Sequence, residues 1–203
     1  FRRVLFRSAS RSRPARAWSW RTCRPPPRGS TRRGQACRPP PAPATPPFTV
    51  LVLSAAYRHK HLEIIDEIIG LLRERERDDV RFTMTLPPAD FERLVRPAHR
   101  PWVENVGPQP PEACPGLYER AHLLFLPTLL ECFSANYVEA MVMERPVVTT
   151  DLGFAHTVCE QAALYFRPMD AADALRKIDL VRGEDAMRSE LIEAGRHTSA
   201  RFG

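Results

Sequence analysis

No stretch of the 203 residues stays apolar over the roughly 18 positions that a membrane-spanning helix requires. No apolar segment follows the arginines near the start, so a secretory signal is not expected. The five cysteines, Cys23, Cys37, Cys114, Cys132 and Cys159, include no CxxC pair and no Cys/His zinc spacing, and their number is odd. Neither a disulfide framework nor a structural zinc site is favoured, and a reduced, intracellular setting is the simpler reading. No internal repeat is present, which sets aside repeat architectures.

Residues 1–47 also lack every acid and every lysine, yet hold twelve Arg and ten Pro. They carry +12, whereas residues 48–203, with eighteen basic and twenty-four acidic side chains, carry −6. The net charge of +6 therefore belongs to the first segment and says nothing about the rest. Such Arg/Pro density cannot bury a core or sustain a helix, so 1–47 is expected to be disordered. A nucleic-acid-binding arm would need aromatic interleaving, and only Trp18 and Trp20 offer any, so a nucleic-acid partner is not expected. The prolines also oppose the amphipathic helix of a transit peptide. A further reading is that 1–47 is artefactual: LFRS at 5–8 matches the translation of a sequencing-adapter end. An independent clone with the same segment coded in frame, and intact coding sequence upstream, would exclude that.

From Phe48 onward the pattern changes. FTVLVLS at 48–54 is a short β-branched apolar run, as a buried parallel strand requires. Leu62, Ile65, Ile68, Ile69 and Leu72 follow at helical spacing. Further strands are expected at 80–86, 103–106, 122–126, 146–150 and 163–166. Helices are expected at 89–95, 117–121, 134–143, 154–160, 171–181 and 184–197. The alternation argues for an α/β fold: a single Rossmann-like domain with a parallel sheet covered on both faces, spanning 48–203.

In such sheets ligands bind at the C-terminal ends of strands beside helix N-termini. The strand HLLFL ends at Pro127, and the loop TLLECFS leads into a helix from Ser134, its expected N-cap. The unpaired N–H groups of that helix start suit a phosphate. Glu139, in the second turn, leans back toward the same loop, which holds Glu131. Two carboxylates would repel a diphosphate, so they are expected to address hydroxyls. A sugar nucleotide has hydroxyls on both sides of its diphosphate.

The segment FLPTLLECFSANYVEAMVMERPVVTTDLGFAHTV resembles the ExxxxxxxE region of retaining GT-B glycosyltransferases of the glycosyltransferase 4, or glycosyl transferases group 1, type. GPQPPEACPGLYERAHLLFLP before it and EQAALYFRPMDAADAL after it fit in order and spacing. The resemblance implies the C-terminal, donor-binding half of a GT-B fold. It implies that Glu131 binds hydroxyls of the donor sugar, that Glu139 binds the ribose, and that backbone around Phe133 and Ser134 faces the diphosphate. Lys60 matches the basic position on that diphosphate, where a fixed cation stabilises charge on the leaving group. Relatives often carry Arg where this chain has Ala55; Arg58 is a weak substitute. Cys132 and Ser134 stand where Gly is frequent and could narrow the space for the diphosphate, and Glu144 replaces another frequent Gly. A nucleophilic Cys132 lacks a His partner nearby in sequence, and His59 and His61 lack the carboxylate set a metal would want.

The implied function is glycosyl transfer with retention from a UDP-, GDP- or ADP-type sugar donor to an unknown acceptor, with no obligatory metal and no other cofactor. GT-B enzymes hold the acceptor on an N-terminal domain that 1–47 cannot supply, and HTSARFG ends where relatives continue into a crossing helix. The chain is thus expected to be a fragment without turnover of its own. A catalytically silent nucleotide-sugar-binding or scaffold domain, and a nucleic-acid binder led by the Arg-rich arm, remain as alternatives. Sugar-nucleotide epimerases suit the EAM and PVV segments less well. The expected location is cytoplasmic, or peripheral at a membrane if the acceptor is a lipid. The loop 107–117 is expected to meet the base mainly through backbone.

Overall fold

The structure, a computed structural model, describes residues 46–202. The expectations for the Arg/Pro-rich segment therefore fall almost wholly outside the described residues.

Six short apolar runs form strands: β1 (Phe48–Val52), β2 (Val80–Met84), β3 (Val103–Asn105), β4 (Leu123–Leu126), β5 (Val147–Thr150) and β6 (Ala163–Phe166). All neighbours pair in parallel, in the order β3-β2-β1-β4-β5-β6. Helices α1 (Glu63–Glu74), α2 (Pro88–Leu94), α3 (Cys114–Arg120), α4 (Ala135–Val142), α5 (Gly153–Cys159), α6 (Ala171–Gly183) and α7 (Asp185–Ser199) connect and follow them. The pleat of a strand sends alternate side chains to opposite faces. Val50, Val52, Leu123 and Phe125 thus join the core under α1 and α6, while Leu51, Leu124 and Leu126 join the core under α3, α4 and α5. Each of these strand residues is essentially inaccessible to solvent, which is why the runs read as continuously apolar rather than alternating.

The expected elements all form, with ends displaced by a few residues. The helix expected at 117–121 begins earlier, at Cys114, because Pro115 sits in its first turn, where a missing N–H costs nothing. Three-residue turns of 3-10 helix at Arg58–Lys60 and Pro111–Ala113 lie outside the expected strands and helices. Gly195 of α7 lets two helices meet: a Cβ there would stand 3.3 Å from Cγ of Met141 in α4.

The substitutions of frequent glycines divide in two. Neither Cys132 nor Ser134 is among the described non-glycine residues with positive φ, so neither needs glycine's freedom. Glu144 does: its φ is +57°. It closes α4 by a left-handed turn in which the Glu144 N–H donates to the Met141 carbonyl and the Arg145 N–H to that of Ala140. That is the two-bond helix end at which Gly is usual. Its exposed carboxylate meets Arg196 of α7 at 3.0 Å. Glu144→Gly should therefore raise Tm by about 1–3 °C, since a left-handed L-residue costs roughly 1 kcal/mol, partly offset by glycine's greater chain entropy. Calorimetric melting of the two proteins checks this; a fall in Tm would mean that the Arg196 contact outweighs the strained backbone.

The connections run outward from the middle of the sheet: β1 to β2 to β3 on one side, β4 to β5 to β6 on the other. The order reverses between β1 and β4, so the loops leaving their C-terminal ends diverge and open a crevice.

Candidate functional site

Two loops form this crevice. After β1 the chain passes Ala55 and Tyr57 into the turn Arg58–Lys60. Successive residues of such a turn point about 120° apart. Lys60 faces the crevice, while Arg58 is exposed and is not among the residues that line it. After β4, Thr128 anchors the second loop: its hydroxyl donates to the carbonyls of His59 at 3.3 Å and Leu130 at 3.1 Å. The Leu129 N–H donates to the His59 carbonyl at 2.7 Å. The loops are thus joined by main chain, and their side chains complete the junction: the Lys60 ammonium forms an ion pair with a Glu131 carboxylate oxygen.

The resulting cleft has a volume of about 500 Å³. Lys60, Glu131, Phe133 and Ser134 line it, together with Leu53, Tyr57, Ala135 and Asn136. Ser134, Ala135 and Asn136 are the start of α4, so the positive end of that helix forms part of the wall. Ser134 occupies the N-cap position, as expected, with extended backbone, and its hydroxyl makes no capping bond. Asn136 instead fastens the helix start to the chain leaving β1, its amide donating to the Leu53 carbonyl at 2.5 Å. Cys132 is exposed and is not among the residues lining the cleft, although its neighbours on both sides are.

Glu139 occupies a smaller adjoining cavity of about 260 Å³, which shares Leu53, Gln109 and Asn136 with the larger one and adds Pro111 and Cys114. The buried Tyr118 of α3 donates its hydroxyl to Glu139 Oε2 at 3.0 Å. Burial raises the Glu139 carboxyl above its ordinary value of 4.5, and the Tyr118 hydrogen bond offsets part of that rise. Gln109 folds back on its own loop, donating to the Val106 carbonyl at 2.7 Å, which leaves its side-chain oxygen as an acceptor beside main chain of the loop expected to meet the base.

The structure brings Lys60, Glu131, Phe133 and Ser134 into one cleft and Glu139 into the cavity beside it. Tyr118, Asn136 and Gln109 were not singled out by sequence reasoning. Their partners lie 21, 83 and 3 residues away, and only the last separation is local. Among the described residues, no three His, Cys, Asp or Glu side chains stand close enough together to hold a metal ion. Another cavity, of about 600 Å³, lies around Phe48, Asp79 and His122 at the N-terminal ends of β1, β2 and β4. It is at the opposite end of the sheet from the crevice where ligands of open parallel sheets bind.

A family model described as glycosyl transferases group 1 matches residues 47–181. No curated protein matches the chain. Among solved structures, a sucrose-phosphate synthase of Thermosynechococcus elongatus superposes over 79% of the chain with a TM-score of 0.67 and 22% identity. TarM of S. aureus, solved as a mutant with fondaparinux, α-GlcNAc-glycerol and UDP, gives a TM-score of 0.67 over 79% of the chain at 17% identity. The pneumococcal O-GlcNAc transferase GtfA, solved with UDP and GlcNAc, gives 0.63 over 77% at 13% identity. At these identities the likeness establishes the fold. The chain spans less than half the length of these structures, 42%, 34% and 33% respectively. Among the described residues, no helix is long and apolar enough to cross a membrane.

Proposed function

The chain belongs to the glycosyl transferases group 1 family, and from that premise we propose that it binds a nucleotide-sugar donor for hexosyl transfer with retention. The observation that carries the proposal is the grouping of a cation, a helix start and two carboxylates at the β1/β4 crevice. The diphosphate lies against Lys60 and the first turn of α4, which stabilise the charge that develops as the glycosidic bond to it breaks. No obligatory metal is required in this reading. Glu131 receives hydroxyls of the transferred sugar and Glu139 those of the ribose. Their separation into adjoining cavities supports these two roles. Engagement of Glu131 by Lys60 favours a sugar-binding role over nucleophilic attack. The UDP complexes of TarM and GtfA support a nucleotide-sugar donor. The acceptor is met on a second domain that closes over the crevice.

Thermal melting of the full chain with UDP, GDP and ADP and their hexose-linked forms tests this. One base should raise Tm by about 5–10 °C at ligand near a hundred times Kd. Glu131→Ala should keep or strengthen the response to the bare nucleoside diphosphate and lose discrimination among sugars. No shift with any of these ligands would remove the proposal.

A further inference from the structure

Lys60 is the sole cation, and Glu131 the sole carboxylate, among the described residues that line the larger cleft, and each is the other's partner. Their side chains are only 19% and 17% exposed, so this is not a solvated surface pair of negligible strength. Ala55 provides no second cation, and Arg58 does not line the cleft. A diphosphate can therefore gain the full benefit of Lys60 only by displacing Glu131. A displaced carboxylate beside a diphosphate would be both unpaired and repelled, unless hydroxyl donors replace the ammonium. Only the sugar-bearing form of the ligand brings such hydroxyls to Glu131.

Resting on the donor-site reading above, we infer that Lys60 and Glu131 form an exchange pair that makes the cleft prefer the intact nucleotide sugar over the spent nucleoside diphosphate. Intact donor gives each member a new partner: phosphate for Lys60, sugar hydroxyls for Glu131. The two halves of the ligand then bind with positive coupling, because occupancy of Glu131 by sugar frees Lys60 for phosphate. When the sugar is transferred, Glu131 loses its hydroxyls and competes again for Lys60. The recovered pair weakens the hold on the bare diphosphate and assists its departure, a step that often limits turnover.

The experiment is a calorimetric titration of the full chain with the nucleoside diphosphate that most raises Tm, and with its hexose-linked form. Wild type is compared with Glu131→Gln, Lys60→Met and the double variant, each first checked by melting; Lys60→Gln stands in if Lys60→Met does not fold. Glu131→Gln should bind the bare diphosphate about fivefold or more tighter than wild type, at the lower end of typical coupling between sites, and its preference for the sugar-bearing form should collapse. In the Lys60→Met background the same Glu131 change should give no gain. An equal or larger gain there would reveal simple repulsion of phosphate by Glu131 and overturn the exchange. No gain from Glu131→Gln alone would overturn it too. Absence of binding to wild type and every variant would remove the donor-site reading itself, a result distinct from either.

Discussion

Glu139→Ala should weaken nucleoside diphosphate binding by about 10- to 100-fold at neutral pH while leaving Tm without ligand unchanged or slightly raised. Hydrogen bonds from ribose hydroxyls to a carboxylate, in a half-buried cavity, are worth roughly 1.5–3 kcal/mol, and each 1.4 kcal/mol is about tenfold in affinity. The stability half of the expectation follows from the raised carboxyl. A carboxyl raised on folding is held more tightly to its proton in the folded state, so its ionisation above that pH weighs against folding. Stability from this group grows as pH falls through the raised value toward the ordinary 4.5, and is least at neutral pH. Its ionisation therefore adds no stability there, and when the carboxylate is removed the Tyr118 hydroxyl keeps the Asn136 carbonyl as an acceptor. Binding has the opposite dependence: affinity should fall as acid protonates Glu139, and this loss should begin above pH 4.5. Titration calorimetry across pH, beside melting without ligand, separates the two. A large drop in Tm for Glu139→Ala would reassign the residue to the scaffold.

Asp66→Asn should lower Tm by about 6–12 °C, a loss of roughly 3 kcal/mol of stability. Asp66 lies on the buried side of α1 and accepts three hydrogen bonds: from the Arg96 N–H at 2.9 Å, from Arg96 Nε at 2.5 Å, and from the buried ring of His99 at 2.7 Å. These bonds join α1 to the 3-10 segment Pro97–Trp102 that leads into β3. Burial alone would raise the Asp66 carboxyl; the Arg96 N–H, the Arg96 guanidinium and His99 outweigh it and hold the group below its ordinary 3.8. The sign follows. Asp66 contributes its stability fully above 3.8, and this is lost as pH falls from there through the lowered folded-state value. Asn keeps the shape but loses the charge, and its amide N–H₂ must face a donor: Arg96 Nε if the amide oxygen keeps the Arg96 N–H and His99, or those two if the amide is turned. Thermal melts at pH 7 and pH 3 check the account: the gap between wild type and Asp66→Asn should narrow in acid. A gap that stays constant would locate the effect in packing rather than charge.

The contrast between Glu139 and Asp66 also marks what sequence reading can reach. Period and composition locate elements because burial of a strand on both faces, or of one helix stripe, writes itself locally; FTVLVLS and the Leu62–Leu72 spacing are examples, and β1 and α1 form there. The same holds for the helix after TLLECFS. Ends are less legible, since Pro115 falls in the loop expected at 107–117 yet lies in the first turn of α3. Pairings over long separations leave no local mark. Lys60 and Glu131 are 71 residues apart, Asp66 and His99 33, and Asn136 and Leu53 83. Sequence reading therefore identified Lys60 and Glu131 as separate groups but not as partners. It also placed Ser134 at the N-cap, where it stands, but whether the hydroxyl turns toward its helix depends on the loop it terminates, and here it does not.

A crystal structure of the full chain with the nucleotide sugar that most raises Tm decides whether the β1/β4 crevice is the donor site. Phosphate oxygens are expected within hydrogen-bonding distance of Lys60 Nζ and of main-chain N–H groups in the first turn of α4. The ribose should lie on Glu139, and the sugar on a Glu131 released from Lys60. A nucleotide seated elsewhere, such as the cavity around His122 at the opposite end of the sheet, or one bound with the Lys60–Glu131 pair intact, would contradict it.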